Sequence, residues 1–97
     1  MLEVPSLIQD EIRSKFDDEY TYEWAHNVAV IVLNKTTNRR ARIILPAIWE
    51  IADNPRDMAA ADVSKLKQAL EILGYQATIS SSIKLMSQQY LEGKRRK

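Results

Sequence analysis

The segment Asn34-Lys35-Thr36-Thr37-Asn38-Arg39-Arg40-Ala41-Arg42 gathers four of the chain's fourteen basic residues between two apolar runs. Guanidinium groups this close together can sit on phosphates, or can stand beside aliphatic side chains as they do at protein interfaces. The other groups able to do chemistry are sparser. His26 is the single histidine, with Glu23 three residues before it. One imidazole cannot build a histidine-rich metal site, and no motif sets a nucleophile or second base beside it. It reads as a local hydrogen-bonding group. Asp17-Asp18-Glu19 lacks the spaced ligands and glycine of a calcium loop and reads as a solvated helix end. Ser80-Ser81-Ser82 carries no Gly-x-Ser-x-Gly elbow, so Ser81 or Ser82 reads as a helix cap. With two glycines, Gly74 and Gly93, no phosphate-cradling loop can be built.

These readings assign no catalytic residue, metal ligand or cofactor, and the expectation is a protein that binds rather than catalyses. Composition agrees with one core: 97 residues, 45% hydrophobic and 28% charged, suit a single small domain over 1–93 with a basic tail at 94–97. No cysteine is present, which excludes thiolate metal sites and disulfides and fits the cytoplasm. The opening Met-Leu-Glu-Val-Pro has no secretory pattern, and the longest apolar run, Val28 to Leu33, is too short to span a bilayer, so no membrane association is expected.

Charge is segregated along the chain. Residues 1–23 hold two basic and seven acidic groups (−5), and residues 24–45 hold four basic and none acidic (+4). Residues 46–63 hold one basic and four acidic groups (−3), residues 64–97 seven and two (+5), and the four blocks sum to +1. Alternation of this kind suits docking between complementary surfaces at least as well as it suits a polyanion.

The elements that must position the basic segment are read from periodicity. Ser6-Leu7-Ile8-Gln9 has the spacing of a capping box, and Ile8, Ile12 and Phe16 form a helical stripe after it. Tyr20, Tyr22 and Trp24 alternate with polar residues as in a half-exposed extended segment. Val28 to Leu33 is a six-residue, mostly β-branched run that reads as a strand covered on both faces. Past the basic loop, with Asn38 in a left-handed turn position, a second strand would alternate Ala41, Ile43 and Leu45 against Arg40, Arg42 and Ile44. Pro46 suits the first turn of a short helix, ended by Asp53-Asn54-Pro55. A strong stripe, Val63, Leu66, Leu70 and Leu73, predicts a helix over about 58–73, stopped at Gly74 with Tyr75 folding back on it. Residues 76–79 alternate as a third strand, and Ile83, Met86 and Tyr90 mark the inner side of a last helix.

The expected fold is therefore α+β: a mainly antiparallel three-stranded sheet, with a hairpin over 28–45 and a strand at 76–79, packed with three to four helices. On such a hairpin Arg40, Arg42 and Ile44 share a face, with Lys35 and Arg39 at its tip and Tyr22 and Trp24 as aromatic neighbours. The expected function is a regulatory or accessory module docking through these residues on another protein or a second copy of itself. The alternative is nucleic-acid binding by Arg39, Arg40 and Arg42 together with Lys94, Arg95, Arg96 and Lys97. Against it stand the missing aromatic signature of an RNA-binding sheet and a pI of only about 8.0.

Overall fold

The structure, a computed structural model, describes residues 4–72 and 79–95. Among these there are six helices and no strand: α1 (Ser6–Lys15), α2 (Glu19–Leu33), α3 (Asn38–Ile51), α4 (Pro55–Ala60), α5 (Val63–Ile72) and α6 (Ile79–Arg95). The α+β fold and its hairpin are thus overturned. Of the third strand, residues 76–78 lie outside the described residues, as does the Gly74-Tyr75 helix end, while Ile79 opens α6.

Helix α1 starts where the capping box suggested but without that box. Its N-cap is Pro5, with no side-chain cap, and the Gln9 side chain donates to the Val4 carbonyl at 2.6 Å. Ile8 and Ile12 are buried and Phe16, extended just past the last turn, plugs the end of the stripe.

Helix α2 absorbs both the alternating aromatics and the apolar run. Asp18 caps it, accepting from the Thr21 N–H at 2.8 Å and from the Thr21 hydroxyl at 2.8 Å. The Thr21 N–H bond holds the Asp18 carboxyl below its ordinary value. The buried residues are Trp24, Ala25, Val28, Ala29, Val32 and Leu33, two adjacent stripes at spacing four. Val30 and Ile31 stay half-buried, which is why the run looked covered on both sides. The β-branched residues cost such a helix only tenths of a kcal/mol each (~0.7 or less), far below what burying them returns.

The basic segment joins two helices. Asn34 and Lys35 close α2 by donating to the carbonyls of Val30 and Val32, both at 3.0 Å, and Thr37 caps α3, its hydroxyl accepting from the Arg40 N–H at 3.3 Å. Asn38 is the first residue of α3, not a left-handed loop position. Along α3 the buried set is Ala41, Ile44, Leu45, Ile48 and Trp49, a complete helical stripe. Ile44 is 1% exposed and Ile43 is 59% exposed, the reverse of the strand pairing. Pro46 lies inside α3 rather than at a helix start, so no N–H from position 46 reaches the Arg42 carbonyl.

The chain does break at Asn54-Pro55. Asn54 accepts from the Asp57 N–H at 2.8 Å and donates back to the Asp57 carboxylate at 2.8 Å, with Pro55 in the first turn of α4. The single helix expected over 58–73 is two, because Asp62 interrupts it and its carboxylate accepts from the Ser64 N–H at 2.8 Å. Leu66 and Leu70 are buried as their stripe implied. Helix α6 begins before Ser81, with Ile79 and Ile83 buried; Ser80 is buried too, its hydroxyl without a hydrogen-bond partner among the described residues. It packs on α4, α2 and α5, while α3 lies on α5 and α2, and α1 lies on α2.

At the centre Phe16 meets Trp24 and Trp49 edge-on, with ring centroids 6.2 and 5.0 Å apart, and the two indoles are 5.5 Å apart. The Trp24 Nε1–H, fully buried, donates to Ser87 Oγ at 2.8 Å, and that hydroxyl donates to the Ile83 carbonyl at 2.8 Å. No described helix is long and apolar enough to cross a membrane.

Candidate functional site on the α1–α3 face

The residues singled out from sequence separate. Trp24 is 0% exposed and Ile44 1% exposed, so neither can meet a partner, and both are core. Lys35 is exposed in the α2–α3 connection, and Arg39, Arg40 and Arg42 are exposed on the first turns of α3. Tyr22 is half-buried on α2, more than three turns before Lys35, with the Arg13 guanidinium 3.5 Å over its ring. Lys94 and Arg95 are the last residues of α6, and Arg96 and Lys97 lie outside the described residues. His26, half-buried, faces Tyr22 with ring centroids 6.2 Å apart. Among the described residues no three His, Cys, Asp or Glu gather as a cation would need.

What α3 does present is a face that sequence reading missed. Arg42 Nε donates to Glu11 Oε1 at 2.7 Å, tying α3 to α1, with both side chains nearly half exposed. Ile43, beside Arg42, is the most exposed large apolar residue among the described residues at 59%; Leu85 on α6 is 54% exposed, and Leu7, one turn before Glu11 on α1, 53%. Between the two helices runs a shallow groove floored by Ile8, Ile12, Leu45 and Trp49 and edged by Pro46. It encloses only about 30 Å³, enough for a water and far below the ~300 Å³ of a small-molecule site. Past Pro46 and Trp49 it opens into an exposed hollow bounded by Lys15 and Glu50. The signal for this face was in the sequence: Ala41, Ile44, Leu45 and Ile48 fit one helical stripe, and Ile43 is the apolar residue left off it.

The ion pair changes the electrostatic reading of the basic cluster. An exposed pair of this kind is worth at most about 1 kcal/mol, but it offsets one of the three arginine charges and places a carboxylate where a phosphate would have to lie.

A second feature lies on α2. Glu19, Tyr22, Glu23 and His26 line an open depression of about 380 Å³. Near it the Tyr90 hydroxyl donates to the Tyr20 carbonyl at 2.9 Å and stands 3.3 Å from Glu23 Oε2, with the Tyr20 and Tyr90 rings stacked at 5.2 Å. Burial, with the Glu23 charge added, pushes the Tyr90 phenol up to about 12. Comparison of the chain with protein-family models, with curated proteins and with solved structures finds no match in any of the three.

Proposed function

We propose that this chain is a non-enzymatic protein-binding module, and that a partner protein docks over the α1–α3 face. The observation that carries the reading is Ile43, 59% exposed on a helix whose Ile44, Leu45 and Ile48 are buried and whose Ile51 is half-buried. An isoleucine held in water on a rigid helix, one residue from an ion-paired arginine that itself lines a groove with an aromatic floor, supplies the apolar anchor and polar rim of an interface. We place the module in the cytoplasm on its cysteine-free composition. Nucleic-acid binding would keep Lys35, Arg39 and Arg40 as its cations, but the Glu11 carboxylate bound to Arg42 weighs against it.

The test places a photo-crosslinking side chain at position 43 of the full chain in its native cells. One dominant protein adduct is expected, absent when the probe sits at Gln89 on the exposed side of α6, and Ile43→Glu in the purified pair should weaken binding by at least about tenfold. Adducts spread equally between positions 43 and 89, or made mainly to nucleic acid, would refute the reading.

A further inference from the structure

The α1–α3 face and the α2 depression are complementary to each other. Arg39 and Ile43 stand one turn apart on the exposed side of α3, with Lys35 just before them, forming a protruding aliphatic group flanked by cations. The depression on α2 offers Tyr22, with the Arg13 guanidinium over its ring, and two carboxylates already partly engaged: Glu19 in an exposed ion pair with Arg13 at 3.0 Å, and Glu23 3.3 Å from the Tyr90 hydroxyl. At about 380 Å³ it is a shallow hollow open to solvent, against which an isoleucine side chain and an arginine head can rest.

Charge supports the match. Around the start of α2, Asp17, Asp18, Glu19 and Glu23 set four carboxylates against the Arg13 guanidinium, a net of 1 − 4 = −3. Lys15 leans the other way, toward the hollow beside Glu50. From residue 24, through the rest of α2 and into α3 as far as residue 45, there is no acidic group at all. Asp18 and Glu19 have a local reason to be there, since carboxylates favour a helix N-terminus. Glu23 lies beyond the first turn, where the Tyr90 hydroxyl stands 3.3 Å from its carboxylate, and Asp17 lies before the cap, so neither serves the helix N-terminus. The depression lines the first half of α2, from Glu19 to Asn27, and Arg39 and Ile43 stand on α3, past the far end of that helix.

We propose that the partner includes a second copy of this chain, associating head to tail: Ile43 and Arg39 of one molecule insert into the Tyr22–Glu19–Glu23 depression of the next. This rests on the protein-binding reading above and names its occupant. Because the two surfaces differ, each contact leaves one surface of either kind unfilled, so growth continues past a dimer into a ring or an open chain.

Sedimentation of the full chain from micromolar to millimolar concentration tests this. Mass should rise past the dimer with concentration and fall back toward the monomer in high salt, because exposed charges carry the contact. Two variants keep one surface each: Arg39→Ser with Ile43→Ser removes the protruding group, and Glu19→Gln with Glu23→Gln neutralises the depression. Each alone should weaken self-association by at least about tenfold, and their equimolar mixture should stop at a one-to-one heterodimer, since only one intact contact can form. Far-ultraviolet ellipticity checks that both variants keep their helices. A wild-type chain that stays monomeric, one that stops at a symmetric dimer, or a mixture that forms no heterodimer overturns the head-to-tail contact. So does assembly that appears only with added nucleic acid. A monomer whose position 43 still crosslinks to one different protein would end this inference while leaving the docking face in place.

Discussion

Two side chains on α6 show how much a single hydroxyl decides in this molecule. Ser87 sits 0% exposed and accepts the indole N–H of Trp24, itself 0% exposed, so Ser87→Ala strands a buried donor among apolar groups. The cost expected is about 1–3 kcal/mol in denaturant unfolding. Trp24→Phe removes the donor along with part of the ring, and in that background Ser87→Ala should cost much less; an equal cost in both backgrounds would show that the hydrogen bond contributes nothing. Tyr90 makes a prediction in pH. Its phenol is raised from 10.0 to about 12, so above pH 10 the unfolded chain loses a proton that the folded one keeps. Stability from this group is complete below pH 10 and declines as pH rises toward about 12. Ultraviolet titration should show a late tyrosine signal that is missing in Tyr90→Phe, and the alkaline decline in stability should be shallower in that variant.

At the scale of elements, the neighbouring residues Ile43 and Ile44 decide between a strand and a helix. In α3 Ile44 lies in the core and Ile43 in water, so Ile44→Ala should cost about 2–5 kcal/mol and Ile43→Ala no more than about 0.5. Chemical unfolding of the two variants measures this, and comparable losses would mean that Ile43 is packed as Ile44 is, and not in water. Pro46→Ala should raise stability by about 1–3 kcal/mol, because it restores a donor to the Arg42 carbonyl and removes a ring from the helix interior. The helices with strong amphipathic stripes were legible in sequence: Ile8 to Phe16 in α1, Leu66 and Leu70 in α5, Ile83 in α6, and the break at Asn54-Pro55. The region from Tyr20 to Leu45 was not. Its β-branched run and its alternating aromatics match strand patterns locally, and only the longer spacing from Trp24 through Val28 to Val32, repeated from Ala25 through Ala29 to Leu33, reveals the helix. The candidate site followed the same course. Arg39, Arg40, Arg42 and Lys35 were found by charge, whereas Ile43 was lost and Ile44 wrongly gained by the strand register, which turns every second side chain to the opposite face.

Over the whole molecule, every helix feeds one apolar cluster: Ile8 and Ile12 from α1, Val28 and Val32 from α2, Ile44 and Ile48 from α3, Met58 from α4, Leu66 and Leu70 from α5, and Ile83 from α6. No helix can leave without exposing surface that another helix has buried, so melting one removes the packing that stabilises its neighbours. Phe16, just past α1, touches both indoles, which couples the least embedded helix to the centre. Unfolding should therefore be a single transition, with tryptophan fluorescence, which reports Trp24 and Trp49 in the core, coinciding with far-ultraviolet ellipticity, which reports all the helices. The sensitive comparison is Phe16→Ala. Loss of its aromatic contacts should lower the common midpoint by about 3–5 kcal/mol of stability while keeping the two probes together. If fluorescence instead shifts before ellipticity in that variant, α1 and the aromatic centre form a unit separable from the remaining helices, and the α1–α3 face would then be held by a weaker joint than the shared core implies.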